Sequence, residues 1–512
     1  MTLHRPRVRH RTRGTRTTTA VVAAGALVLP LAACSGSGSE EPEPEPGPDA
    51  EPRTYRTVEM TAPPLPITEG DAADQDDSDA LYFLAPKKEA EPHLGGLIVD
   101  ATGEPVWIDP AETPMYDFRV QEYDGEPVLT YYRGESDFVG HGTGDIYLLD
   151  TSYEEIATVT TGGELDPHRA DLHDTTITPE GTMLVLAYPV VPLDLTPVGG
   201  PEDGYVFDGV VQEVDIATGE VLHHWSALDH VDLTDTYAEV EPEDGDPSGT
   251  EDNPFDFFHV NSATLTPDGD VLISSRQFHA AYAVDRTSGE VRWTLGGEDS
   301  DFTMEGSGED DEPGTGAQFA WQHDVQQHDD GTVTLFDNQG NPPIGEYSRG
   351  LRLVLDTDTM TASVDQEWLP SDPELLAGSQ GNLQVLDNGN VIVGWGDAQW
   401  TSEYTDDGTL VREFPFLGGE TYRAYRFDWQ ATPTDPPAVV VTDGTAYVSW
   451  NGATDVASWR LVAGDDADSA SEVATVARDG FETAVDGVPD DAAYVALEAL
   501  DADGEVLATG TP

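Results

Sequence analysis

From about residue 80 to residue 430 the chain alternates apolar and polar positions in short runs, as in Val271-Leu272-Ile273 and Val333-Thr334-Leu335, with few stretches of helical period. Glycine turns separate the runs: Tyr123-Asp124-Gly125, Pro179-Glu180-Gly181, Pro267-Asp268-Gly269, Asp329-Asp330-Gly331 and Asp387-Asn388-Gly389. Alternation, tight turn, alternation is the signature of a β-hairpin. A third strand, a turn and a fourth strand follow, as in Val214 to Trp225 and Val284 to Trp293, and the idea recurs in Leu97 to Trp107 and Val354 to Met360. Four-strand units fall near 80–110, 115–160, 170–226, 257–297, 319–369 and 379–416. Units of this kind, repeated at irregular spacing, predict an all-β fold: a six-bladed β-propeller whose first and last units can share one blade.

The turns set a register. Eight residues before each turn glycine stand Asp117, His173, Asn261, His323 and Gly381; seven residues after stand Tyr132, Tyr188, Arg276, Asn338 and Gly396. Both positions lie at the end of the hairpin away from the turn. If the units form a ring, that end is one shared surface lined by His, Asn, Arg and Tyr. His259 joins it, two residues before Asn261 and so on the same face of a regular strand. A lone histidine or strand-end arginine is commonly structural; five such residues in one register point to a site.

The ends of the chain read differently. Six arginines between Arg5 and Arg16, an apolar run from Ala20 to Leu31 and then Leu31-Ala32-Ala33-Cys34 read as a secretion signal with a lipobox over residues 1–34, Cys34 being the lipidation site. The apolar run is too short to span a bilayer. Residues 35–56, rich in Ser, Gly, Glu and Pro, read as a disordered tether. The propeller is expected over 57–435. Residues 436–512, with Trp450 on an early strand and Tyr494 on a late one, predict a small accessory β-sandwich resembling fibronectin type III. The expected location is the outer face of the cell membrane, reached through lipid on Cys34.

Composition narrows the function. The net charge is −76, with 99 acidic residues against 23 Lys and Arg. Such a surface repels nucleic acid and anionic headgroups. It repels an anionic substrate too, unless local cations reverse the field. Cys34 is the only cysteine, so no disulfide forms within one chain. Two acidic, glycine-rich insertions, about 238–256 and 297–318, read as solvated loops; the second runs up to His323 and could cover the site.

An ordered series of segments carries a resemblance. Leu172-His173-Asp174, Phe258-His259-Val260-Asn261-Ser262, Leu272-Ile273-Ser274-Ser275-Arg276, Trp293-Thr294-Leu295-Gly296-Gly297, Gln322-His323-Asp324-Val325-Gln326 and Leu335-Phe336-Asp337-Asn338 resemble the bacterial arylsulfate sulfotransferases over roughly residues 80–430. The resemblance implies a six-bladed propeller that moves a sulfuryl group from a phenolic sulfate ester to a phenol, with no nucleotide sulfate donor; no cofactor and no metal at the site are expected. It implies His323 as nucleophile and His173, His259, Asn261 and Arg276 as groups that bind and neutralise the sulfuryl oxygens. A neutral imidazole suits the first role, and imidazolium and guanidinium donors suit the second. Trp321, Tyr188, Tyr132 and Asn338 are candidates against substrate. The paired cysteines of some members are absent, the insertions and C-terminal segment depart from the enterobacterial layout, and the oligomeric state stays open. Two rival readings remain: a non-catalytic surface propeller that binds glycans or proteins, and a quinone-dependent dehydrogenase, for which no segment speaks. Hydrolysis by a formylglycine enzyme needs a Cys or Ser in a specific motif, and the only Cys is Cys34.

Overall fold

The computed structural model describes residues 51–75, 78–87, 93–138, 140–242, 247–306, 315–415 and 419–512, with backbone alone at 136–138. Cys34 and most of the tether lie outside them, as do parts of both acidic insertions. The described residues belong to one compact unit, Pro46–Pro512. Order begins before the expected boundary at 57, since Arg53–Thr54 pairs with Thr61–Ala62 and the Thr57 backbone N–H donates to Glu482. Among the described residues no helix is long and apolar enough to cross a membrane.

The chain is all-β and antiparallel almost throughout. Sheet two contains Tyr116–Tyr123, Glu126–Phe138, His141–Leu149 and Glu155–Val159. Sheet three contains Thr175–Ile177, Thr182–Ala187, Val210–Asp215 and Val221–Ser226. Sheet four spans Val260–Leu265 to Val291–Gly296, sheet five His323–Gln327 to Thr361–Trp368, and sheet six Asn382–Val385 to Leu410–Pro415. Sheet one joins the two ends of this region: Leu81–Leu84, Leu97–Val99 and Pro105–Ile108 take their fourth strand from Tyr425–Phe427. The sequence units are therefore present, and the first is completed by a three-residue strand beyond the last of them.

Why these runs form sheets is visible in where alternate residues go. Leu272 packs toward sheet five, against Val325, Val333 and Leu351. Its neighbours Val271 and Ile273 pack toward sheet three, against Leu184, Leu186 and Val211. A strand buried on both faces reads as a continuous apolar run. The same logic fills each junction: Ile146 and Leu148 meet Met183 and Val185, Phe336 and Trp368 meet Leu383 and Val393, and Phe83 and Trp107 meet Phe118 and Leu129. Ile392 and Phe414 of sheet six meet Tyr82 and Leu97 of sheet one, so the cycle of contacts closes.

A second cycle of bonds runs inside the first. Side-chain oxygens at the start of each first strand accept a backbone N–H from the next sheet. Asp117 accepts from Thr175 at 3.0 Å, and Asp174 from Ala263 at 2.9 Å. Ser262 accepts from Val325 at 3.2 Å, Asp324 from Leu383 at 3.0 Å, and Asn382 from Ala424 at 2.9 Å. Arg423 and Tyr425 complete the circuit by donating to Asp117, each at 3.1 Å. The register residues of the sequence thus sit beside a ring of sheet-to-sheet bonds.

Two further sheets follow. Ala438–Thr442, Thr445–Ser449 and Glu482–Asp486 form one; Ser458–Gly464, Ser471–Ala477, Tyr494–Leu500 and Val506–Gly510 form the other. Val448, Trp450, Trp459, Leu461 and Leu497 make an apolar cluster shared by both.

Candidate active site

The start of the first strand is irregular in three sheets. Pairing shifts between Tyr116 and Arg119, between Val260 and Ser262, and between His323 and Gln326. Bulges of this kind re-aim side chains at the rim of a sheet. Asp117, His259, Trp321, Asp324 and Gln380 also adopt left-handed backbone, with φ between 49° and 66°. Non-glycine residues seldom do so, and such strain concentrates at functional sites. Simple alternation therefore does not describe this rim: His259 precedes its strand and Asn261 occupies the shifted position.

The structure brings His173, His259 and Tyr188 together. The His173 and His259 rings are 4.8 Å apart, edge to face. Tyr188 lies 5.9 Å from the first and 6.0 Å from the second. Each histidine is held by a carboxylate that the register argument missed. His173 Nδ1 donates to Asp171, and His259 Nδ1 donates to Asp256 at 2.5 Å. His141, also missed, stands with its Nε2 3.3 Å from Asp256 and its ring 5.3 Å from that of His259. The spacings Asp171-Leu172-His173 and Asp256-Phe257-Phe258-His259 were the available signal. A proton fixed on Nδ1 leaves Nε2 as the free lone pair of each ring.

His323 is buried and its tautomer is determined twice over. Asn338 Nδ2 donates to the Gln380 carbonyl at 3.0 Å, so Asn338 turns its oxygen toward His323. That oxygen accepts from His323 Nδ1 at 2.8 Å. The Gln380 backbone N–H donates to His323 Nε2 at 3.2 Å, so Nε2 carries the lone pair. Burial pushes the His323 imidazole well below its ordinary 6.5, and the Arg276 charge pushes the same way, together outweighing the bond to Asn338. The ring is neutral at pH 7. Replacing Asn338 with alanine should free the ring to rotate and exchange tautomers. We expect formation of any adduct on His323 to slow by between about 10²- and 10⁴-fold, as when other orienting partners are lost, with little change in thermal midpoint. A rate within threefold of wild type would remove Asn338 from that role.

Arg276 is the charged side chain that weighs most on His323. Its guanidinium lies 4.7 Å over the Trp321 ring and donates to the Asn341 and Gly378 carbonyls at 3.1 and 3.2 Å. Burial lowers it to about 10, so it stays cationic at pH 7. Trp321 packs edge-on against His279 at 4.2 Å and donates to the Pro342 carbonyl. Asn261 donates to the Gln322 carbonyl at 2.6 Å, and its own Oδ1 is buried without a hydrogen-bond partner. His259 is brought down to about 4 by burial, which outweighs its bond to Asp256. It is a neutral acceptor at rest, unlike the imidazolium donor expected from sequence.

One group among the described residues has the donor set of a metal site: His141, Asp256 and His259, whose ligand atoms lie within 4.8 Å of one another. His259 already donates to Asp256 and His141 faces the same oxygen, so attraction to one buried carboxylate accounts for the trio.

Among curated proteins no relative matches. Solved structures give distant likenesses. A Bacteroides caccae protein of unknown function is 12% identical, covering 68% of this chain and 99% of its own, with a TM-score of 0.40. A catalytically inactive virginiamycin B lyase from Staphylococcus aureus is 10% identical, covering 75% and 91%, with a TM-score of 0.30. The β-propeller domain of a Myceliophteria thermophila protein is 10% identical, covering 65% and 94%, with a TM-score of 0.30. The family profile of the arylsulfotransferases (ASST) matches residues 119–416, which span sheets two to six and all the histidines above. That match extends over more than half of the chain, and the protein belongs to the arylsulfotransferase (ASST) family.

Proposed function

We propose that this protein is a six-bladed β-propeller enzyme that transfers a sulfuryl group from a phenolic sulfate ester to a phenol through a sulfohistidine at His323. The observation that carries this reading is the protonation of His323: a neutral ring, its proton tied to Asn338 and its Nε2 lone pair directed at the Gln380 amide. In the first step Nε2 forms a bond to sulfur, the bond from sulfur to the aryl oxygen breaks, and phenolate leaves to be protonated by solvent. The Gln380 N–H must give up Nε2 for this to happen, and it then serves as a donor to a sulfuryl oxygen beside Arg276. In the second step His259 Nε2 takes the acceptor phenol's proton, and Asp256 stabilises the imidazolium that forms. The phenol oxygen bonds to sulfur and the N–S bond breaks. No nucleotide, cofactor or metal enters either step. The leader and tether belong to the same proposal, with the enzyme secreted and held at the outer face of the membrane by lipid on Cys34.

The test is acceptor dependence. With an aryl sulfate alone, phenol release should stop after about one equivalent per enzyme. Adding a phenol should restore continuous release, and the sulfate should appear on the added phenol. Continuous release into water alone would make the protein a hydrolase; absence of release with any aryl sulfate would favour a binding role.

A further inference from the structure

Sheets three and four are joined by a long segment, Ala227 to His259, that leads into the first acidic insertion. Asp232 caps a single turn of 3₁₀ helix, Leu233–Asp235, by accepting from the Thr234 N–H at 3.0 Å. The next two residues fasten the segment to the rim of the site. Thr236 Oγ1 donates to the Phe257 carbonyl at 2.6 Å, and the Tyr237 N–H donates to the Gln277 carbonyl at 2.8 Å. Phe257 lies two residues before His259, and Gln277 follows Arg276. Tyr237 lays its ring on that of His279, 4.2 Å away and within 7° of parallel. His279 meets Trp321 nearly at a right angle, at 4.2 Å, and Trp321 carries the Arg276 guanidinium at 4.7 Å. Four side chains from three segments thus form one column, from the exposed Tyr237 to the buried Arg276.

We propose that Tyr237 and His279 are positioning residues of the transfer reaction, fixing the Arg276 guanidinium beside Nε2 of His323 by way of Trp321; the inference rests on the transfer reading above. Three observations carry it. The first is how Arg276 is held. Among the described residues it forms no ion pair, and its bonds go to the Gln277 side chain and to the Asn341 and Gly378 carbonyls. With no carboxylate to anchor it, the long side chain depends on neutral contacts, and a planar guanidinium is well held by an aromatic face. The second is where it is held. Gly378 lies two residues before Gln380, whose N–H marks the Nε2 lone pair. Trp321 Nε1 donates at 3.1 Å to the carbonyl of Pro342, the residue after Asn341, so ring and cation are tied to one stretch of backbone. The third is His279. It is buried with its Nε2 lacking a hydrogen-bond partner, and burial together with the Arg276 charge brings it down to about 3. A neutral ring packs next to a cation without repelling it, and Tyr237 covers one face of that ring.

The experiment is a double-mutant cycle on the full-length protein, read as the rate of sulfuryl adduct formation from an aryl sulfate. Tyr237→Ala should slow that rate by about 10- to 100-fold, since an ångström of misplacement costs about 100-fold. Its thermal midpoint should change little, because the Tyr237 side chain is exposed. Tyr237→Phe keeps the stacking ring and should restore the wild-type rate. In an Arg276→Met background Tyr237→Ala should cost no further rate, because its effect passes through Arg276. The acid limb of the rate should also rise in Tyr237→Ala toward the ordinary histidine value, since a displaced cation opposes protonation of His323 less. Asp256, Asp397 and Tyr188 also weigh on Arg276, and all three are unchanged in these variants. Equal loss in both backgrounds, or an unmoved acid limb, would overturn the positioning role. Benzenesulfonate, whose sulfur is bonded to carbon and is not transferred, reads the column without turnover. Its calorimetric affinity should weaken about tenfold in Tyr237→Ala, the scale of one hydrogen bond to a charged group, and hold in Tyr237→Phe. That result in a protein that forms no adduct would overturn the transfer reading alone. Affinity unchanged in Tyr237→Ala would sink the positioning role whether or not an adduct forms.

Discussion

The His323→Ala variant should release no phenol from an aryl sulfate, with or without acceptor, and should carry no sulfuryl adduct. Loss of a covalent nucleophile in other enzymes costs on the order of 10⁶-fold, so turnover should fall below detection. Folding should survive, since among the described residues the His323 ring bonds to the Asn338 side chain and the Gln380 amide, while its backbone pairing with Phe336 does not depend on the side chain. Mass spectrometry of the wild type mixed with donor alone should find the adduct on the His323 peptide. The pH dependence provides an independent check. Attack needs neutral imidazole, and burial with the Arg276 charge holds His323 well below 6.5. Protonation removes the lone pair, so the rate of adduct formation should stay flat as pH falls through 6.5 and drop only at lower pH. Arg276→Met removes a cation that opposes protonation. Its acid limb should move upward toward 6.5, on top of a rate loss of about 100-fold or more from lost charge stabilisation. An active His323→Ala variant would dismiss the mechanism, and an acid limb near 6.5 in the wild type would dismiss the electrostatics.

The strands were readable because two local rules agree. Turn glycines take positive φ, as at Gly125, Gly181, Gly269, Gly331 and Gly389, and the flanking residues alternate. Register followed from counting, since loops of fixed length at the turn leave the opposite hairpin end in step. What lay beyond sequence was long-range. Tyr425–Phe427 is three residues long, and only its pairing with Leu81–Leu84 makes it a strand. The hairpin of Val190–Leu193 with Gly204–Phe207 looks like one more pair of strands until its separate pairing is seen.

At the site the same contrast holds. His173, His323, Arg276 and Asn338 were picked by register, and Tyr188 falls at the same step. Asp171 and Asp256 escaped because they lie outside that count, although each sits only two or three residues before its histidine. His141 escaped because it opens the third strand of sheet two, where no register position points. It reaches the site through Asp256, more than a hundred residues away. Protonation was the furthest from reach: histidines around an anion invite a charged reading, whereas burial makes His259 and His323 neutral.

The residue beyond the register has the larger effect on stability. Arg423→Leu should destabilise the fold by roughly 3–5 kcal/mol at pH 7, the scale for removing one partner of a buried ion pair, out of a total that is typically about 5–15 kcal/mol. The Arg423 side chain is fully buried and draws on four sheets at once. Its Nη1 lies 3.1 Å from Asp117, 2.8 Å from Asp174 and 3.7 Å from Asp324, and its Nη2 donates to the Asn261 carbonyl at 3.1 Å. Arg119 is the other cation, 3.0 Å from Asp174. Burial works to raise the Asp174 carboxyl, but Arg423 and Arg119 carry it below 3.8. Asp324 stays raised, burial and Asp174 outweighing Arg423. Without Arg423, burial and mutual repulsion would lift Asp174 as well. A carboxyl lowered in the folded state contributes stability above its unfolded value and loses it on acidification; one raised in the folded state does the reverse. Removal of Arg423 converts Asp174 from the first kind to the second. The gap between wild type and variant should therefore narrow from pH 7 to pH 5, while general relief of acidic repulsion acts on both proteins alike. Denaturant midpoints at the two pH values measure it. A difference below about 1 kcal/mol at pH 7, small on the scale of buried pairs, or one that does not shrink with acid, would mean that the three carboxylates do not depend on Arg423 to meet at the centre of the ring.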